Sequence, residues 1–487
     1  MHPNDIPVLA KIFNPKTQYI FIDEKHFQES TITDTLECQI LTYNTPSFIE
    51  EILKTYPAEI CTLIHTSTTP PYYKNLTTLQ LGNPSYPVTA RHWINSNGSF
   101  VKLSSVGKSL DKKTYNFINN PDGTIRWLYP SQQKQPTFLH LYNASGWKGK
   151  LIKKGITVGF KCGLRRKIKQ GTLQVYAPYA PVDGAHQKSS TLFNSSDYAI
   201  FTGTKGENRK AVIVFEKNKK ATHYLKVPLT TAATHLIKNE SEQLKQLSRL
   251  SLNTLVVPQA KRIHQHLLQT NIRPTTTRSN LTITPLHLEA LRELYQDTIE
   301  WKLLQQTTAW AAIEKDISEL EMSSIKNKLS PATIQQMVTN LKVLQSQIDT
   351  NLPIPIALAH GDFTAWNTYL TTKQLMVYDW ELAAQYPLLF DAFHFIFQTG
   401  ILVKKQTFAD IKKQIEGLRQ YQIVQDLQSQ FPFSFKESYQ FYLLQTISYY
   451  LNRYMQQPHL HEQAHWLVAT WADALKEAIT ADKLMIR

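Results

Sequence analysis

Cysteine is scarce: Cys38, Cys61 and Cys162 are the only three in 487 residues, and no two form a CxxC pair. They supply neither a disulfide framework nor a thiolate zinc site, and a reducing cytoplasm is the expected compartment. A long apolar run is also missing. The most apolar window, residues 382–403, is interrupted by Gln385, Asp391, His394 and Gln398, polar groups that lipid would penalise, so no transmembrane span is expected. The opening MHPNDIPVLAKIF has an acid and two prolines where an export signal needs a basic and then an apolar stretch. Internal repeats and low-complexity segments are absent.

Acidic residues are outnumbered, 38 against 53 Lys and Arg, for a formal charge of +15. The excess is uneven. Between Lys148 and Lys169 stand nine cations (Lys148, Lys150, Lys153, Lys154, Lys161, Arg165, Arg166, Lys167 and Lys169) and no acid. Such a face attracts nucleic acid, an anionic surface or an acidic substrate, unless it is simply a solvated, strand-rich face. RNP, zinc-finger and helix-turn-helix signatures are missing, so nucleic acid is not the expected partner.

An apolar fraction of 42% with 11% aromatics is that of a folded protein, and the length exceeds what one core usually supports. Residues 1–95 read as an α/β module, with YIFID, CQILTY and ICTLIH as strands and SFIEEILKTY as a helix. Residues 96–190 read as a β-rich basic region, strands and turns including GITVGF and the turn Asn120–Gly123. Residues 191–262 give strand, glycine turn, strand, strand, helix, strand. Residues 263–487 are almost wholly helical in period, through LHLEALRELYQDTIEWKLL, SPATIQQMVTNLKVLQSQI, SYQFYLLQTISYYLNRYM and HWLVATWADALKEAI. The class expected is α+β.

Within the helical part lies HGDFTAWN, residues 360–367, followed by MVYDWELA, residues 376–383. Phosphoryl transfer from ATP needs a carboxylate to take the acceptor's proton and oxygen ligands to hold Mg²⁺ across the phosphates. Asp362, Asn367 and Asp379 supply those types. If Asp362 opens a tight loop and Asn367 closes it, both face one cavity, and QLMVY as a strand would deliver Asp379 there. The plain alternative is that these residues cap helices and close turns.

The string His360, Gly361, Asp362, Phe363, Thr364, Trp366, Asn367 with Asp379, Trp380 and Glu381 resembles the catalytic and metal-binding loops of the aminoglycoside phosphotransferase and choline kinase family. The resemblance covers about residues 195–487. It implies a bilobal protein-kinase-like fold, a small β-rich lobe and a large helical lobe, here preceded by the α/β and β-rich module. By the same resemblance Asp362 is the catalytic base, His360 braces the loop, and Asn367 and Asp379 hold Mg²⁺. Glu381 falls near the acceptor or a second metal and Trp366 near the acceptor, Asp391 anchors the following helix, and His394 and Phe395 read as core.

The fold so implied needs a lysine on the third strand to meet the nucleotide's phosphates and a helix glutamate to hold it. Lys226 and Glu240 fit, with Glu242 as the competing glutamate. Gly203 and Gly206 would let the preceding turn approach the phosphates, with Arg209 as a further donor, although the turn is no full G-x-G-x-x-G. An ATP- and Mg²⁺-dependent phosphotransferase acting on a hydroxyl of a small-molecule or glycan-type acceptor is the expected function. Because the chain is basic, an anionic or neutral sugar-containing acceptor is favoured over a cationic drug. A non-catalytic nucleotide-binding regulator or scaffold is the second reading. Two other motifs point elsewhere: SSVGKSL has Lys102 where a phosphate loop needs glycine, and HEQAH, residues 461–465, has the spacing of a zinc metalloprotease, a remote third reading, with only 22 residues beyond it for a third ligand.

Overall fold

The computed structural model describes residues 4–13, 18–23, 39–43, 61–65, 71–73, 77–82, 92–94, 100–102, 112–142, 147–176, 197–322, 324–325, 329–457, 460 and 462–485. The segment SFIEEILKTY, expected as a helix, lies outside them. The chain folds as two units: Met1–Ser241 with Ala260–Asn271, and Glu242–Gln259 with Ile272–Arg487. It is α+β. Among the described residues no helix is long and apolar enough to cross a membrane.

In chain order the first unit has helix α1 (Asp5–Phe13), strands β1 (Tyr19–Asp23), β2 (Gln39–Tyr43), β3 (Cys61–His65), β4 (Pro71–Tyr73), β5 (Thr77–Gly82), β6 (His92–Ile94), β7 (Phe100–Lys102), β8 (Lys112–Asn119) and β9 (Ile125–Pro130). After a 3₁₀ turn, Thr137–Leu141, come helices α2 (Trp147–Lys161) and α3 (Arg165–Ile168). Then follow β10 (Gly171–Tyr176), β11 (Asp197–Phe201), β12 (Lys210–Lys217), β13 (Lys220–Pro228) and helix α4 (Thr231–Leu247), which belongs to the first unit as far as Ser241. β14 (Leu255–Val256) belongs to the second unit, and β15 (Ala260–Ile263) and β16 (His266–Thr270) return to the first.

Twelve of these strands form one sheet, in the order β15-β16-β13-β12-β11-β9-β8-β10-β5-β3-β1-β2. β1, β2, β3 and β5 pair in parallel and the rest antiparallel. Pairing of β11 with β9, Ile200 opposite Leu128, carries hydrogen bonding across residue 190, where the sequence suggests a boundary. Alternation along the central strands explains why both faces are covered. Leu128, Ile200, Ile213 and Phe215 pack with Val8, Leu9 and Ile12 of α1 on one face, whereas Trp127, Tyr129, Ala199 and Val214 pack with Phe138 and with Phe160 of α2 on the other. Runs such as AIF and VIVF are the sequence mark of strands buried on both sides.

GITVGF, expected as a strand, is helical instead. Ile156 and Phe160 lie one turn apart and both face the Trp127–Phe138 cluster, and the lysines around them are good helix formers. Gly159 permits close packing, since a Cβ there would come within 3.0 Å of Ile168 Cδ1.

The second unit adds α5 (Pro285–Thr298), β17 (Glu300–Leu303), α6 (Thr308–Met322), α7 (Pro331–Ser346), β18 (Pro353–Ala359), β19 (Thr368–Leu370), β20 (Leu375–Val377), β21 (Ala384–Pro387), α8 (Phe390–Leu402), α9 (Phe408–Gly417), α10 (Gln422–Gln430), α11 (Phe435–Gln456) and α12 (Glu462–Met485). Helix starts follow local chemistry: Thr284 with Pro285 begins α5, Ser330 with Pro331 begins α7, and Thr407 and Asp410 form a capping box on α9. The helix expected through EWKLL stops at Thr298, because Glu300–Leu303 pairs with β18 as a strand. Two three-stranded sheets, β14-β20-β19 and β17-β18-β21, carry the loops described below.

Phe138 is fully buried and stacks on Trp127 at 5.4 Å between ring centroids, so Phe138→Ala should cost the first unit about 3–5 kcal/mol in denaturant unfolding. Asp5, buried in the first turn of α1, accepts the Ile125 N–H at 2.9 Å, and burial pushes its carboxyl from the usual 3.8 to about 6. The folded chain therefore keeps a proton that the unfolded chain has released. The stability contributed is complete below about pH 4 and is lost as pH rises through about 6. Asp5→Asn should flatten that part of the stability–pH curve.

Candidate active site

In the first unit, β13 lies between β12 and β16, with Lys226 opposite Val212 and Leu267. Lys226 Nζ donates to both carboxylate oxygens of Glu240, each at 2.7 Å, and both side chains are buried. Gln269 of β16 donates Nε2 to Glu240 Oε1 at 2.7 Å. Charges this deeply buried survive only when paired and hydrogen-bonded, so each member depends on the others. Helical period selects the glutamate: Ala233, Ile237, Glu240 and Leu244 form the buried stripe of α4, and Glu242 faces out.

Residues 202–209 join β11 to β12. Gly203 has φ +83°, and a Cβ there would lie 2.3 Å from the Lys210 carbonyl oxygen, so the turn requires glycine. Gly206 has φ +139° with open space around it. Arg209, expected as a phosphate donor, is buried, and its Nε donates to the Thr202 carbonyl across the turn at 3.2 Å.

In the second unit, β18 runs into residues 360–367. The loop is held from beneath: Asp391, in the first turn of α8, accepts the His360 N–H at 2.7 Å and the Gly361 N–H at 3.0 Å. Asp391 is fully buried, and burial pushes its carboxyl up against the pull of the His360 ring and those two N–H groups. Gly361, at φ +80°, passes so close to Leu382 that a Cβ would meet its carbonyl oxygen at 2.2 Å. The His360 ring accepts the Asp362 N–H at Nδ1, 3.2 Å, which leaves Nε2 as the donor to Tyr378 O at 3.0 Å.

The outcome is a fixed Asp362. Asn367 Nδ2 donates to its Oδ2 at 2.9 Å and to its backbone carbonyl at 3.0 Å, and His394 Nε2 lies 3.1 Å from its Oδ1. The Asp362 side chain nonetheless remains 27% exposed. With both amide hydrogens of Asn367 turned to Asp362, its carbonyl oxygen remains available as a ligand.

The β19–β20 hairpin brings the third residue to the same end. Thr368 pairs with Val377, and the Tyr378 N–H reaches Asn367 O at 3.2 Å, so Asp379 follows directly. Asp379 is left-handed at φ 73°, ψ 52°, a conformation worth about 1–3 kcal/mol of strain for a non-glycine residue. The buried Trp380 indole N–H, bonded to Val377 O at 3.0 Å, holds the chain there. Glu381 sits half-buried on the next 3₁₀ turn, and Trp366, also half-buried, accepts the Tyr378 hydroxyl on its carbonyl.

Sequence reasoning missed two participants. His394 reads as core, but it stands three residues beyond Asp391, on the same face of α8, and reaches Asp362. The i, i+3 spacing was the available signal. Gln269 has no local signature, because its partner Glu240 is 29 residues away. Tyrosines of α11 also stand by: Tyr450 stacks on His394 at 6.4 Å, and burial, reinforced by the Asp362 charge, pushes the Tyr454 hydroxyl up to about 12. Of HEQAH, Glu462 and His465 are exposed on α12, and His461 lies outside the described residues.

No family profile matches this chain, and no curated protein matches its sequence. Solved structures do. One is an amicoumacin kinase in complex with AMP-PNP, Ca²⁺ and Ami, 11% identical, covering 60% of this chain and 92% of that one at a TM-score of 0.39. Another is the choline kinase LicA from Streptococcus pneumoniae, 12% identical, covering 60% of this chain and 97% of that one at 0.39. The ADP-bound aminoglycoside phosphotransferase APH(2'')-Ib is 12% identical, with the same coverage and a TM-score of 0.37.

Asp391→Ala should leave two buried backbone N–H groups without acceptors and cost about 2–5 kcal/mol in unfolding free energy, measured by denaturant titration of the intact chain.

Proposed function

We propose that this chain is a phosphotransferase that moves the γ-phosphoryl group of ATP, with Mg²⁺, to a hydroxyl of a small-molecule or glycan-type acceptor. One observation carries the reading: Asp362 is clamped at both oxygens by Asn367 and His394 yet remains partly open to solvent. A general base needs that combination of fixed direction and access.

Asp362 takes the acceptor hydroxyl's proton, its two clamping bonds leaving lone pairs for it. His360 and Asp391 fix the loop from which Asp362 projects, and His394 sets the carboxylate's rotation. Asn367 and Asp379 offer the hard oxygen donors that Mg²⁺ takes, and the bound ion would offset charge on the phosphates. Lys226, steadied by Glu240 and Gln269, holds the α and β phosphates, with the Gly203–Gly206 turn bringing backbone N–H groups toward them. Glu381 and Trp366 contact the acceptor. The excess of 53 basic over 38 acidic residues favours a neutral or anionic sugar-containing acceptor. The cytoplasm supplies the ATP and keeps the cysteines reduced.

Asp362→Ala should lower ADP release in an acceptor screen by about 10²–10⁴-fold while nucleotide affinity is kept; unchanged turnover would remove the assignment. Lys226→Met should weaken nucleotide binding and also destabilise the fold by about 3–5 kcal/mol, since Glu240 is left buried and alone. Adding Glu240→Leu should recover stability without recovering nucleotide affinity. Recovery of both would refute the phosphate role of Lys226.

A further inference from the structure

Helix α2 has an outward face unlike the rest of the surface. Its inner face is accounted for by Ile156 and Phe160, which pack on the Trp127–Phe138 cluster. On the outer face Leu151 is 57% exposed and Val158 49%, with Ile152 at 54% on the flank and Leu164 at 49% just past the helix end. These four are among ten large apolar side chains so exposed among the described residues, and all four fall within fourteen consecutive positions. Leu151, Gly155 and Val158, at i, i+4 and i+7, make a shallow apolar stripe. Lys150, Lys154 and Lys161 run along one side of that stripe, all exposed, and among the described residues none bonds to an acid.

We propose that this face of α2 seats the protein on an anionic lipid surface. Charge complementarity selects the sign of the partner, because the stretch from Lys148 to Lys169 has nine cations and no acid. The apolar stripe selects the kind of partner. A nucleic acid would bind the lysines and leave Leu151 and Val158 in water, whereas a bilayer interface takes apolar side chains into its acyl boundary while lysine stems lie along it and ammonium groups stay among the headgroups. With two apolar residues in the stripe and a chain that has no spanning helix among its described residues, the attachment is peripheral and reversible.

Co-sedimentation of the full chain with lipid vesicles tests this. The protein should pellet with phosphatidylcholine vesicles containing about a third phosphatidylglycerol, stay in solution with phosphatidylcholine alone, and be released by salt. Leu151→Ser with Val158→Ser, and separately Lys150→Glu with Lys154→Glu and Lys161→Glu, should each reduce binding by about tenfold or more. All five positions are exposed, so circular dichroism and the unfolding midpoint should match the parent chain. No pelleting with anionic vesicles would overturn the proposal. So would undiminished binding by the Leu151→Ser, Val158→Ser variant, which would mark the face as a generic polyanion contact, readable with a short DNA duplex as competitor.

Discussion

One carboxylate governs the geometry of the candidate site. Asp391 is sealed at the start of α8 and spends its two oxygens on the His360 and Gly361 N–H groups. Everything downstream inherits that fixed point. Gly361 can then graze the Leu382 carbonyl, the His360 ring can close on both Asp362 N–H and Tyr378 O, and the Asp362 side chain is left facing Asn367 and His394. The buried acid is costly by itself, and its cost is offset because the bonds it makes are charge-assisted and water is excluded from them.

The first unit solves a matching problem differently. Lys226 sits buried on β13, third from one edge of the twelve-stranded sheet, where an ammonium group is tolerated only with a carboxylate against it. Glu240 comes from a helix and Gln269 from the neighbouring strand, so the ion pair is fixed by two separate elements. The same sheet continues through β11 and β9 into the amino-terminal strands, so those strands are hydrogen-bonded to the ones that carry Lys226 without a break at residue 190. The basic helix α2 is attached to the back of this sheet by Phe160 and Ile156, which leaves its lysine-lined face outward.

Much of this is legible in the sequence. The segment SPATIQQMVTNLKVLQSQI marked α7 from its Ser330–Pro331 start, and the run QLMVY marked β20 and hence the position of Asp379. The resemblance favoured Glu240 over Glu242 through its E-x-x-x-L spacing to Leu244, and the buried stripe of α4 gives the physical reason. GITVGF misled because a six-residue apolar segment with glycines carries too few turns of period to separate helix from strand, and packing on Phe138 decided it.

By itself the sequence determined the α+β class, the 360–367 loop with the hairpin that follows it, and the charge of the 148–169 stretch, because each is a property of neighbours along the chain. Only the tertiary structure decided that His394 turns to Asp362 and Gln269 to Glu240, and that Leu151 and Val158 stay in water. Those outcomes depend on contacts between residues tens of positions apart, or on which face of a helix the core claims; local spacing such as the i, i+3 step from Asp391 to His394 can hint at them, and the packed fold selects the partner.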